Sequence, residues 1–312
     1  MPGGDQLRGL PRRVEAVALL SVAGLALLFH ATLPSRLPDE ADGAAVAEVI
    51  ARERQPGDAV LLHPWWTERA RLFVPEEVPV WGYLGSDGAA LERAPRIWVL
   101  SQPELPRART GELWEAFRPG RQPMGKERRF GHLRLSLFRN GRARPTLYSA
   151  ADALASARAY VESAGARTSD CPFDGRAFAC PGAPARAGVG WHEVAFEPRR
   201  CVSLSPPGGQ ARLVVELPPS PAADRLSLEA GLIWERAAYT NPHLRPVVVG
   251  VDGAGGTLAQ VTIAPGEEGF HRQVLPGLPA GSLRLWIRAE VAESREVCVD
   301  LLAQGPEAGG AP

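Results

Sequence analysis

Between Ala16 and Leu33 the chain runs eighteen residues without a charge, AVALLSVAGLALLFHATL, just after Arg8, Arg12 and Arg13. A soluble fold seldom absorbs such a run, because a core helix of this length normally keeps a polar stripe toward water. At about 1.5 Å per residue it reaches roughly 27 Å, close to the thickness of a bilayer's hydrocarbon core. It therefore reads as one transmembrane helix at residues 14–34, with membrane lipid as the partner of Ala16–Leu33. The arginines place residues 1–13 in the cytoplasm and the bulk of the chain outside. A cleavable signal peptide is the rival, since Ala16–Phe29 has the length of its apolar heart. Phe29 would fall at the −3 position of a cut after Ala31 and fits it poorly, which favours an uncleaved anchor.

Composition narrows the classes. The 312 residues carry 35 basic and 35 acidic side chains, so the formal net charge is zero. A nucleic-acid binder normally shows a basic surplus, and no nucleic-acid partner is expected. Lys126 is the only lysine, and the chain is rich in Ala, Gly and Pro, a mark of GC-rich bacterial coding. The membrane is then expected to be a bacterial inner membrane, with the body periplasmic or extracellular. Schiff-base or P-loop chemistry would have Lys126 alone, and MGKERR is not a GxxxxGK[ST] loop.

All four cysteines lie beyond residue 170. An even number in an extracytoplasmic segment points to disulfides, with three pairings open. Cys171–Cys180 with Cys201–Cys298 is favoured: the first two share a short loop, and the second two would join the first and last strands of one domain. Closing a loop of about 100 residues contributes at most roughly 4.7 kcal/mol. No CxxC spacing occurs and the six histidines are scattered, so no metal or cofactor is expected.

Two bodies follow the span. Residues 39–140 read as a small α/β domain. Asp39 and Asp42 are acidic caps, apolar residues from Ala45 to Ile50 recur at helical spacing, and Pro56-Gly57 stops the helix. Strands are expected at Ala59–Leu62, Val78–Trp81, Arg96–Leu100 and Leu133–Phe138, with helices at Trp66–Phe73 and Leu113–Phe117. This alternation suggests a sheet that is at least partly parallel. Residues 146–185 read as a helical linker (SAADALASARAYVESAG) with a disulfide loop. From 186 to 305 nine strand-like segments follow at about ten-residue spacing, the pattern of an antiparallel jelly-roll-type β-sandwich. Residues 306–312 read as a disordered tail.

The segments AVAEVIARERQPGDAVLLHP and RIWVLSQ behind an apolar helix, and WHEVAF, VVVGVDG and CVDLLA in the sandwich, carry a family likeness. Over residues 14–305 the order resembles the extracytoplasmic C-terminal region of bacterial family 39 membrane glycosyltransferases, the dolichyl-phosphate-mannose-mannosyltransferase-like enzymes. The sandwich segments are similar to carbohydrate-binding-type modules. The resemblance implies a multi-span membrane protein as partner, with Ala16–Leu33 as the last helix of such an assembly. That family's catalytic apparatus sits in a multi-span N-terminal part with acidic residues in its first outer loop. This chain departs from it, with one span and no such loop, so no catalytic residue is carried over.

Two constellations remain as ligand candidates. His63-Pro64-Trp65-Trp66 follows the first strand, where α/β folds place ligands, and Trp65 and Trp66 with Asp58 and Glu68 nearby suit a sugar ring. The alternative is that both indoles pack against the membrane surface or the sandwich. Trp234, Tyr239 and His243, in GLIWERAAYTNPHLRP, suit a glycan-contact loop on a rigid sandwich. Here the alternative is a core Trp234 with ordinary loop neighbours. Glu76 and Glu77 read as a solvated turn, Trp286 as core, and Asp39-Glu40-Ala41-Asp42 as helix capping rather than a helicase box. No GxSxG elbow occurs. The expectation is a non-catalytic, single-pass envelope protein that binds glycan or scaffolds a partner. The alternatives are an accessory or detached tail of a membrane glycosyltransferase assembly, and a hydrolase.

Overall fold

The computed structural model describes residues 9–32, 37–63, 68–76, 78–82, 91–102, 115, 117–195, 197–233, 245–293 and 295–308. Helix α1 (Gly9–Thr32) stands apart. Side chains 14–31 are all exposed, and the stretch Val14–Thr32 is apolar and long enough to cross a membrane. Leu20 is 73% exposed and Leu27 71%. An apolar helix whose described side chains 14–31 are all exposed suits lipid as its solvent.

Helix α2 (Glu40–Glu53) begins with a capping box. The Asp42 amide donates to the Asp39 carboxylate at 2.8 Å, and the Asp39 amide donates back to Asp42 at 3.3 Å. Two orphan N–H groups are thereby satisfied. Gly43 lies against the Phe73 ring so closely that a Cβ there would overlap it. That contact docks α2 on the 3-10 turn Glu68–Phe73, the described part of the helix expected at Trp66–Phe73.

The first sheet contains β1 (Ala59–His63), β2 (Val80–Trp81), β3 (Arg96–Ser101), β4 (Arg121–Pro123), β5 (Arg128–Phe130) and β6 (Leu133–Asn140). Their order is β2-β1-β3-β6-β4, with β5 also on β6. β1 runs parallel to both β2 and β3, while β6 is antiparallel to β3. Val60, Leu62, Trp98 and Leu100 pack under α2, and Ala59, Leu61, Ile97 and Val99 pack on the other face with Phe117 and Phe138. Burial on both faces is why β1 and β3 are unbroken apolar runs. Of the helix expected at Leu113–Phe117, only Glu115 and Phe117 fall among the described residues.

The second body is a sandwich of two antiparallel sheets, and it starts at residue 146 rather than 186. Its strands are β7 (Thr146–Ser149), β8 (Arg158–Ser163), β9 (Ala166–Cys171), β10 (Ala177–Ala179), β11 (Arg186–Val194), β12 (Glu197–Ser205), β13 (Arg212–Ser220), β14 (Ala223–Leu232), β15 (Val247–Gly253), β16 (Gly256–Ile263), β17 (His271–Leu278), β18 (Gly281–Ala289) and β19 (Val297–Gln304). One sheet has the order β10-β11-β12-β19-β14-β17, with β7 on β19; the facing sheet has β16-β15-β18-β13-β8-β9. From β12 onward the chain crosses between the sheets at every connection except the β15–β16 hairpin, as a jelly-roll-type path requires. Each of the nine segments read after residue 186 forms a strand.

The helical linker is the main correction. Ala150–Ala153 forms one helical turn, Leu154–Ser156 a 3-10 turn, and then β8 begins at Arg158. The alanines favour a helix locally, but Ala159 and Val161 face the sandwich core and pair with Val215 and Leu213. Ala164 and Gly165 both take positive φ (51° and 78°), the two-residue hairpin turn that joins β8 to β9. Core burial outweighs an intrinsic preference of a few tenths of a kcal/mol per residue. The tail is also partly tied down: the Ala308 amide donates to the Ala143 carbonyl at 2.7 Å, and Arg144 pairs with Glu307 at 2.9 Å.

The disulfides join Cys171 to Cys180 and Cys201 to Cys298. The second ties β12 to β19, two neighbouring strands, and not the two ends of the domain. Trp286 is buried, but on the outer face of its sheet with Tyr160 and Val214. Gly250 lies opposite it across the strand pair, and a side chain there would collide with the indole.

Candidate functional site

Trp65, Trp66, Trp234, Tyr239 and His243 lie outside the described residues. Asp58, grouped with the first pair, is committed to structure. Its carboxylate accepts from Arg96 Nε (2.8 Å) and Nη2 (2.6 Å), from Trp98 Nε1 (2.9 Å) and from the Gln55 amide (3.0 Å). The hydrogen bond to Asp58 raises the pKa of the Arg96 guanidinium, against the opposing effect of burial. Glu76 is exposed in a turn, and Glu77 lies outside the described residues. Among the described residues no group of three or more His, Cys, Asp or Glu side chains is placed to hold a metal.

A concavity lies where the α/β domain meets the sandwich. It is a cleft of about 720 Å³. One wall is the Arg54–Asp58 loop between α2 and β1, together with Val78, Pro79, Trp81, Arg93 and Ala94, at the N-terminal ends of the parallel strands. The other wall is Trp191 on β11 with Arg199 and Arg200 on β12. Ligand positions in α/β folds are ordinarily at the opposite, C-terminal edge, which is why His63-Pro64-Trp65-Trp66 drew attention in the sequence. Here the sandwich closes over the N-terminal edge instead.

Strand pairing explains the second wall. β19 pairs with β12 only over Val202–Leu204 and then takes β7 as its partner, so the β11–β12 ribbon parts from the sheet there. On that overhang Trp191 and Arg200 are direct cross-strand partners and share one face. Trp191 is 67% exposed, unusual for so large an apolar group. Trp81 is half-buried on the facing wall. Among the described residues Arg200 makes one side-chain ion pair, with Asp152 at 2.6 Å, and both groups are open to solvent.

Arg199 points to the other face of the ribbon and enters a buried charge network. It pairs with Glu229 and lies 3.6 Å from Asp300, which also pairs with Arg93. Arg272 reaches Glu229 and Glu92, both at 3.2 Å, and Arg225 reaches Glu92 at 2.9 Å. Glu229 and Asp300 are cross-strand partners on β14 and β19, where two like charges repel unless countered. The arginines supply that counter-charge, and the Arg199 guanidinium also stacks 4.2 Å from the Phe270 ring. Glu92 and Arg93 precede β3, so this network fastens the α/β domain to the outer face of the sandwich. The sequence held one sign of it: Glu229 and Asp300 interrupt otherwise apolar strands, RLSLEAGL and CVDLLA.

Arg295 is another buried cation, 1% exposed, whose three side-chain nitrogens have no hydrogen-bond partner among the described residues. Burial lowers its pKa. It lies at the end of the sandwich, two residues before β19, and does not line the cleft.

The described wall of the cleft holds indoles and guanidinium groups around a single carboxylate, Asp58, whose oxygens are both engaged. Glycoside hydrolysis asks for two available carboxylates across the bond. The described groups suit binding, by aromatic contact and by N–H donation.

No family model matches the chain, and no curated protein matches it. Among solved structures it is similar to the CBM51-2 and INT domains of Clostridium perfringens ZmpB in complex with GlcNAc (10% identity, TM-score 0.27, 37% of this chain and 25% of that one). It is similar to a xylan-binding domain of CBM 22 (12%, TM-score 0.26, 41% and 86%). It is also similar to a carbohydrate-binding module, CBM36, in complex with calcium and xylotriose (13%, TM-score 0.23, 39% and 94%). The chain spans a quarter of the length of the ZmpB structure. Likenesses of this size carry no argument about ligand; the β-sandwich itself is established by its strand pairing and core.

Proposed function

We propose that this chain is a single-pass protein of a bacterial inner membrane whose outer body binds glycan without transforming it. The exposed apolar α1 supports the anchor, and two disulfides support an oxidising compartment for the body. The observation that carries the glycan reading is the cleft, with Trp191 exposed on one wall and Trp81 on the other. Sugar rings present C–H faces that indoles cover, and guanidinium N–H groups donate to hydroxyl oxygens. Pockets of 300–1,000 Å³ with aromatic walls and a few fixed polar groups are the ordinary form of small-ligand sites.

The test uses the full chain in nanodiscs against immobilised polysaccharides. Trp191→Ala is expected to weaken glycan binding about 30-fold, the scale of an aromatic anchor, while melting stays within about 0.5 kcal/mol because the side chain is exposed. Binding that ignores Trp191→Ala would remove the cleft as the site. Glycan cleavage by the purified chain, lost on Asp58→Asn with the fold intact, would replace binding by catalysis.

A second reading keeps the chain as an accessory tail of a membrane glycosyltransferase assembly. The order α1, α2, β1, β3 favours it, since the same order carries the family resemblance. Gly24→Leu is then expected to leave insertion intact and abolish co-purification of a multi-span partner.

A further inference from the structure

The cleft's charge goes further than its aromatic lining. Four arginines, Arg54, Arg93, Arg199 and Arg200, line it against one carboxylate, and that carboxylate is held by Arg96 and Trp98 behind the wall. Beneath it, Arg93, Arg199, Arg225 and Arg272 pair with Glu92, Glu229 and Asp300. Asp300 and Glu229 are buried behind their arginines.

Arg200 differs from Arg93 and Arg199. Its side chain is 45% exposed and its acid partner Asp152 is 68% exposed, so the pair is of the weak, solvated kind that another carboxylate displaces readily. Asp152 shows by its own position that a carboxylate is accommodated beside this guanidinium. Trp191 sits directly across the strand pair from Arg200 on the same face. An aromatic plane with a guanidinium beside it matches a sugar ring bearing an anionic group: the ring covers the indole, and the oxygens accept from Arg200 in the two-pronged geometry that arginine favours.

We infer that the ligand of the cleft is an anionic glycan, its carboxylate or phosphate group taken by Arg200 beside Trp191. This inference rests on the glycan reading of the cleft. Carboxylate and phosphate share the recognising chemistry, and Asp152 is the internal competitor for the same donors.

The full chain in nanodiscs of zwitterionic lipid is titrated with three kinds of polymer: neutral (xylan, dextran), carboxylated (polygalacturonate) and phosphate-bearing (poly-glycerolphosphate). At low salt at least one acidic polymer is expected to bind about tenfold or more tighter than the neutral ones, with that margin shrinking as salt rises. Arg200→Gln is expected to cost about tenfold for the acidic polymer and little for a neutral one. Asp152→Asn, which removes the competitor, is expected to tighten acidic binding about twofold to threefold. Polygalacturonate preferred over poly-glycerolphosphate, or the reverse, identifies the anionic group and supports the inference either way. Neutral polymers bound as tightly as acidic ones, with Trp191→Ala still damaging, would overturn the anionic ligand and leave the glycan reading standing. No polymer bound at all would overturn both.

Discussion

Asp58 and Asp252 occupy matching places in two unrelated sheets. Each accepts a hydrogen bond of 2.9 Å from an indole, that of Trp98 or Trp286, and each faces an arginine two residues before that tryptophan, Arg96 or Arg284. In the α/β domain the arginine binds with two nitrogens, at 2.8 and 2.6 Å, and its side chain is 12% exposed. In the sandwich Arg284 makes one contact of 3.2 Å and is 41% exposed, Arg212 stands 3.6 Å away, and Thr257 completes the set at 2.8 Å. The same spelling, R-x-W, therefore yields a desolvated ion pair in one sheet and a rim contact in the other. The difference lies in what covers each sheet. The α/β sheet is packed on both faces, whereas the sandwich sheet that holds Asp252 packs one face on the core and leaves the other to a local cluster.

The largest expected effect follows from that contrast. Asp58→Asn strips the charge from a buried partner of Arg96 and should cost about 3–5 kcal/mol in urea unfolding followed by tryptophan fluorescence. Asp252→Asn should cost about 1–2 kcal/mol, since Arg284 and Arg212 can turn to water. Equal losses would break the comparison. A finer test removes only the indole N–H. Trp98→Phe leaves Asp58 short of one buried donor and should cost more than Trp286→Phe, whose carboxylate keeps Thr257, with both losses in a range of about 1–3 kcal/mol.

The smallest effect concerns a surface pair in the α/β domain. Glu53 accepts two hydrogen bonds from Arg128, at 2.7 and 2.6 Å. Chiefly that bond, helped by Arg52, holds its carboxyl down from the ordinary 4.5 to about 2. A lowered carboxyl pKa stabilises the fold above the unfolded value, and the contribution fades as pH falls from about 4.5 to about 2. Wild type and Glu53→Gln should differ slightly in urea midpoint at pH 5 and converge by pH 2, and salt should shrink the gap. A gap that widens toward pH 2 would reverse the sign.

Much of the architecture was legible. The capping aspartates of α2, the apolar runs of β1 and β3 and the nine strands after residue 186 follow from local pattern, because each reports which faces of its own segment are buried. The favoured cysteine pairing is the one formed, although Cys201–Cys298 joins neighbouring strands and not the two ends of the domain. The stretch from Ser149 to Gly165 was not legible: Ala-rich composition speaks for a helix, and only the neighbouring β13 makes Ala159-Tyr160-Val161 a strand. Of the candidate site little could be read. The aromatic residues singled out from their neighbours in sequence lie outside the described residues. Trp81 and Trp191, far apart along the chain, line one cleft.

By itself, then, the sequence determined the lone apolar helix, the two bodies behind it and most strand positions, since periodicity and charge are properties of short segments. Tertiary structure decided what those bodies do to one another. Glu229 and Asp300 look like misplaced acids within their own strands, and they become fastenings only when Arg93 and Arg199 arrive from elsewhere. Trp191 looks like one more strand residue until β19 pairs with β7 in place of β12 and leaves the β11–β12 ribbon overhanging a cleft. Such juxtapositions depend on the docking of surfaces distant in the chain, which no local pattern encodes.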